Sequence, residues 1–102
     1  MKHKDTVLLT ATYYPKPGSE ESFIKLWNKK ICKLAYQMGA TSVGMFHNEE
    51  TEEFLISAHF PTKELVEAFL NSPALQKATD ETNHLCLIPA TKEMFEILRE
   101  AA

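Results

Sequence analysis

Residues Phe54–Leu75 read FLISAHFPTKELVEAFLNSPAL, and the order of signals in this stretch decides the fold class. Phe54, Ile56, Ala58 and Phe60 alternate with Leu55, Ser57 and His59, the two-residue period of a pleated strand with unlike faces. Pro61 has no N–H with which to continue pairing, and Thr62 offers a side-chain oxygen to cap the helix that follows. Leu65, Val66, Phe69 and Leu70 then recur at helical spacing. Ser72-Pro73 is a second start signal, with proline at the first helical position, so the helix breaks and resumes through about residue 82.

Upstream, Val7–Tyr14 reads as a first strand with Val7, Leu9, Ala11 and Tyr13 on one face and Leu8, Thr10, Thr12 and Tyr14 on the other. Both faces are partly apolar, so both are expected to be covered. Pro15-Lys16-Pro17-Gly18 ends the strand, and Ser19 followed by Glu20 and Glu21 predicts an N-cap with acids in the first turn, where the helix dipole favours them. Phe23, Trp27, Ile31, Leu34 and Met38 form the predicted sheet-facing stripe, and Gly39 the helix stop.

Ala40–His47 is read as the second strand and Phe54–Phe60 as the third. The acidic tip between them lacks the glycine and the spacing of a calcium loop and is read as a solvated hairpin. Leu85–Ile88 is a further short apolar pairing, interrupted by Pro89. The tail, Lys92–Glu100, favours helix on propensity, yet Met94–Leu98 reads equally as a closing strand. A β-α-β-β-α order needs a fourth strand to complete its sheet, so we expect a strand.

At 102 residues the chain is expected to be a single domain spanning 1–102, with a partner subunit the remedy for an exposed apolar sheet face. With 11 Lys+Arg against 14 Asp+Glu, the net charge of −3 gives no general attraction to nucleic acid. Lys25, Lys29, Lys30 and Lys33 share helical spacing and read as the solvated back of the first helix. No apolar run approaches the roughly 20 residues of a membrane span, and the N-terminus does not read as a secretory signal, so a cytoplasmic location is expected. Cys32 and Cys86 form no Cys-x-x-Cys pair and read as free, partly buried thiols. With only three glycines, no phosphate loop or dinucleotide fingerprint is present, and no flavin or nicotinamide motif is found.

The first strand running into Lys16-Pro17-Gly18-Ser19-Glu20-Glu21-Ser22-Phe23, then Leu26-Trp27, the strand ending at His59-Phe60, the segment Ala68–Leu75 and the closing Met94-Phe95-Glu96-Ile97 resemble the antibiotic biosynthesis monooxygenase family. That family is a dimeric α+β barrel group which also holds haem-degrading monooxygenases and autoinducer-processing proteins. The resemblance implies an α+β, ferredoxin-like βαββαβ protomer: a four-stranded antiparallel sheet with helices on one face, two protomers closing a barrel, and a ligand cleft between sheet and helices. In the haem-degrading branch an asparagine, a tryptophan and an axial histidine fall where this chain has Ala11, Phe69 and Thr79. None of the three can supply the ligand or amide donor, so haem degradation by that arrangement is not expected.

The reaction the resemblance suggests is cofactor-independent oxygenation of a small quinol-like or polyketide-like aromatic, with no cofactor and no metal. It needs an apolar pocket and a base that helps form the substrate anion. Tyr13, Phe23, Trp27 and Phe69 are the candidate pocket walls, each alternatively plain core, and Trp27 leads because a buried indole N–H needs an acceptor. His59 is the candidate base, since histidine's ordinary pKa near ~6.5 suits work around neutrality. If the hairpin turns near Glu50, His47 lies opposite about Glu53 and His59 opposite about Thr41. At ~3.3 Å per residue the two are too far apart to share a metal. His84 and His3 rank lower. The alternative function is a non-catalytic homodimeric module that binds a small apolar or aromatic ligand, which the residues at Ala11, Phe69 and Thr79 favour.

Overall fold

A computed structural model describes residues 7–98. Strands β1 (Val7–Tyr13), β2 (Ser42–Asn48), β3 (Glu53–Phe60) and β4 (Thr91–Glu96) form a four-stranded antiparallel sheet in the order β2-β3-β1-β4. Helix α1 (Glu20–Leu26) runs through a π-helical segment (Trp27–Cys32) into α2 (Lys33–Gln37). Helix α3 (Lys63–Leu70) is followed by α4 (Pro73–Asn83). This is the ferredoxin-like arrangement that the family resemblance implies, with the fourth strand that the element order requires. The tail is a strand, as completing the sheet requires, because its partner β1 offers a free edge at which Leu8 faces Phe95. His3 and residues 99 and 100 of the expected tail lie outside the described residues.

Alternation sorts the sheet into two faces. Val7, Leu9, Ala11 and Tyr13 of β1 and Phe54, Ile56, Ala58 and Phe60 of β3 are buried beneath the helices, paired across the strands from Val7–Phe60 to Tyr13–Phe54. Their neighbours turn the other way. On that outer face the register sets Leu8 beside Phe95 and His59, and Leu55 beside Phe46 and Thr12. Phe46 is 57% exposed and Phe95 46%, so the outer face is apolar and uncovered within one protomer.

The first helix departs from its expected stripe. Phe23, Trp27, Ile31 and Ala35 are buried, each four residues apart, while Leu34 and Met38 are half-buried. In a regular α-helix four-residue steps drift by ~40° each, because a turn takes ~3.6 residues. The wider π-helical segment takes up that drift and keeps the row pointing at the sheet. Ser19 makes no side-chain cap bond; instead the Glu20 carboxylate accepts from the Gly18 N–H at 3.0 Å. Gly39 ends the helix with φ +108°, where an added Cβ would lie 3.1 Å from Leu65 Cδ1. The later caps are as predicted: Thr62 Oγ1 accepts from Leu65 N at 3.2 Å and Ser72 Oγ from Leu75 N at 3.5 Å.

The β2–β3 hairpin is shifted by one residue from the sequence expectation. His47 pairs with Phe54 and His59 with Ser42, because β2 continues to Asn48. There the Asn48 side chain accepts from the Glu50 and Thr51 amides and fixes the turn. The Leu85–Ile88 run makes a single bridge, Pro15 to Cys86, flanked by Lys16 N donating to Leu85 O and Leu87 N to Tyr14 O, each at 2.8 Å.

Candidate functional site

The inward row of the sheet and the straight row of the first helix do not meet completely. Between them lies a cavity of about 30 Å³, open to the centre of a water molecule, with Tyr13, Trp27, Ile56, Phe69, Leu75 and Lys92 among its walls. Such a space holds a water or two. It is roughly a tenth of the ~300 Å³ at which small-molecule sites begin, so a ring-sized ligand enters only if the walls move.

Three of the four expected wall residues line this cavity: Tyr13 from β1, Trp27 from the π-helical segment and Phe69 from α3. Phe23 does not. It packs behind the wall, with its ring centroid 4.9 Å from Tyr13 and 5.5 Å from Phe54. Burial pushes the Tyr13 hydroxyl pKa up, and the nearby Cys86 thiol, when ionised, adds to the shift. Trp27 is 3% exposed, and its Nε1 is shut from solvent with no hydrogen-bond acceptor. A buried unpaired donor carries the cost of its lost water.

Lys92, which the sequence reading did not single out, is the one charged residue in the lining. It is the second residue of β4, opposite Ala11, and therefore shares the inward face. Its ammonium donates to Thr79 Oγ1 at 3.2 Å. More than a third of the side chain stays open to solvent, yet desolvation holds its pKa below the ordinary lysine value, with Asp80 opposing the shift. Ala11 and Phe69 also line this cavity, and Thr79 holds the lysine beside it. Of the three positions at which the haem-degrading pattern is absent, two therefore line the cavity, and Thr79 lies outside its lining.

His59 is on the other side of the sheet. Its neighbours across the ladders are Leu8 and Ser42, and it follows Leu55 and Ser57 on the outward parity. Its Nδ1 is buried without a partner. The structure thus separates the candidate base from the aromatic walls by the thickness of the sheet. His47 stacks on Phe54 at 4.5 Å with Nε2 3.5 Å from Glu52, and His84 Nδ1 donates to the Asp80 carbonyl at 2.7 Å at the end of α4. Among the described residues no group of three or more His, Cys, Asp or Glu could hold a metal ion.

Cys32 is half-buried and Cys86 buried, both thiols free and pushed up in pKa by burial. Lys29, Lys30 and Lys33 are exposed, as expected, along an open groove of about 310 Å³ that also meets Lys77 and Glu81. Among the described residues no helix is long and apolar enough to cross a membrane.

Residues 6–81 match a family model described as antibiotic biosynthesis monooxygenase. Among solved structures, the Rv0793 protein of Mycobacterium tuberculosis superposes with a TM-score of 0.78 at 17% identity, covering 94% of this chain and 98% of that one. A Nitrosomonas europaea protein of unknown function gives 0.78 at 20% identity, covering 99% and 97%. A mutant of SnoaB, a cofactor-independent oxygenase from Streptomyces nogalater, gives 0.79 at 12% identity, covering 94% and 96%. At these identities the likeness shows the fold. No curated protein sequence matches the chain.

Proposed function

The chain belongs to the antibiotic biosynthesis monooxygenase family, and on that premise we propose that it is a cofactor-independent monooxygenase acting on a small quinol-like or polyketide-like aromatic. The observation that carries the reading is the apolar cavity walled by Tyr13, Trp27 and Phe69 between the sheet and the helices. The chemistry asks little of such a site. A base removes a proton from the phenol or enol, and the resulting anion passes one electron to dioxygen. The radical pair joins carbon to oxygen, and protonation gives a hydroperoxide. Loss of water from a C–H hydroperoxide then leaves a carbonyl, so dioxygen ends as one C=O oxygen and one water. An apolar, water-poor site favours the electron transfer by leaving the anion poorly solvated.

In this proposal Trp27 and Phe69 hold the ring, Tyr13 closes the floor and Phe23 supports Tyr13 from behind. His59, across the sheet, would serve only a substrate bound on the outer face. Two protomers pack through that face, since Phe46, Leu55 and Phe95 are otherwise left in water.

Oxygen uptake with a panel of anthrones and hydroquinones tests the reading. Trp27→Ala is expected to lower kcat/KM by about tenfold or more, which needs a loss of only ~1.4 kcal/mol of transition-state contact. His59→Ala is expected to leave it unchanged. Turnover lost in His59→Ala and kept in Trp27→Ala would place the reaction on the opposite face. The small size of the cavity favours a second reading, a non-catalytic dimeric module for a small apolar ligand, and ligand binding without oxygen uptake across the panel would establish it.

A further inference from the structure

The lysines on the back of the first helix share their space with a lysine from another element. Lys29 and Lys30 of the π-helical segment and Lys33 of α2 line the groove of about 310 Å³, and Lys77 lines it from α4. Four lysines stand there against one glutamate, Glu81, on a chain whose net charge is −3. None of the four ammonium groups makes an ion pair or a hydrogen bond among the described residues, where the one ion pair is His47–Glu52. Even Glu81, four residues after Lys77 and so at a spacing that allows a bridge, forms none. Lys33 follows Lys29 by four residues and Lys30 by three, the spacings at which like charges repel along a helix. Gathering these cations around one concavity is unfavourable until something negative enters it.

We propose that this groove binds a small anion carrying two or more phosphate groups. The site is separate from the apolar cavity, since no residue lines both spaces. Cations reach the groove from two helices, so a ligand with two phosphates can engage both sources where a single phosphate cannot. Lysine binds phosphate as a point charge, and its flexible stem lets each ammonium close on an oxygen. The volume falls at the lower end of small-molecule sites, which begin near ~300 Å³. A nucleic acid would run on past the groove over a chain of net negative charge, whereas a small anion stays within the basic patch. Leu34, Ala74 and Ala78 add apolar surface to the lining, on which an organic body joined to the phosphates can lie. The Glu81 carboxylate opposes the anion, so its removal should tighten binding.

The experiment is calorimetric titration of the full-length protein, at fixed ionic strength, with inorganic phosphate, inorganic diphosphate and adenosine diphosphate. Diphosphate is expected to saturate one site per chain and to bind at least about tenfold more tightly than phosphate. Lys33→Met and Lys77→Met, which keep the apolar stem of an exposed side chain, should each weaken diphosphate about tenfold, with the helical signal unchanged. Lys25→Met removes a charge from the same helix outside the groove lining and should leave the affinity as it is, while Glu81→Gln should raise it. Adenosine diphosphate separates the two sources of the chemistry. Affinity above that of diphosphate supports an organic ligand with its body on the apolar surface, and affinity below it supports the inorganic anion. Equal losses in Lys25→Met and Lys77→Met would show general charge attraction and overturn the site. So would equal affinity for phosphate and diphosphate, or no saturable binding of either.

Discussion

Tyr13 and Cys86 show how single buried groups set the pH range of the molecule. Burial raises both pKa values above the ordinary 10.0 and 9.0. A raised pKa means the folded state holds the proton more tightly. The stabilisation is therefore complete below the unfolded values and is lost as pH rises through the folded ones. Urea midpoints followed from pH 7 upward should fall above about pH 9, and Tyr13→Phe should flatten the decline, since phenylalanine has no proton to lose. Lys92 works in the opposite sense, its lowered pKa penalising the protonated form, but its solvent exposure keeps that contribution small. At this scale the sequence was legible in part. Trp27 led the candidate walls, with plain core as its alternative, because a buried indole N–H needs an acceptor, and it does line the cavity. Lys92 was not singled out, because a lysine at the start of a strand reads as solvated until the Ala11–Lys92 register shows which face it joins. The position of His59 was available in the alternation itself: it has the opposite parity to Phe54, Ile56, Ala58 and Phe60, the row that lies under the helices.

The elements obey their local signals wherever a side chain completes the geometry. Thr62 and Ser72 both cap, whereas Ser19 stands in the same kind of sequence and makes no cap bond. Thr62→Ala should therefore cost about 1 kcal/mol in a denaturant titration, and Ser19→Ala should stay within ~0.5 kcal/mol, the usual range for a surface change. An equal loss in both variants would contradict the distinction. The closing strand came out of topology instead of propensity, because residues 91–96 gain a whole ladder along β1 by extending. The π-helical segment had no such signal. Its apolar residues fit a regular α stripe through Leu34 and Met38 equally well, and only the flat row of the sheet selects Ala35 over them.

For the whole molecule, the balance lies on the uncovered side of the sheet. Phe46, Leu55 and Phe95 stand there at 57%, 37% and 46% exposure, with Leu8 between β3 and β4. Burying such side chains is worth roughly 1.5–3 kcal/mol each when complete. Sedimentation should show a dimer at micromolar concentration, and Phe46→Asp with Leu55→Asp should shift it to monomer with the helical signal retained. A wild-type monomer would remove the packing proposed for this face. The presence of two apolar sheet faces was legible from β1 alone, where leucines fall on both parities. Which residues form the outer patch was not, since that depends on the one-residue shift of the hairpin.

The four-residue spacing of Phe23, Trp27, Ile31 and Ala35 has a further consequence. The coil between Trp27 and Cys32 is wound one residue looser than it needs to be. Excising a single residue there would tighten it into ordinary α-helix while the rows above and below kept their aim. A one-residue deletion between Trp27 and Cys32 should therefore be tolerated better than the same deletion in α4, a difference that thermal melts of the two variants would read.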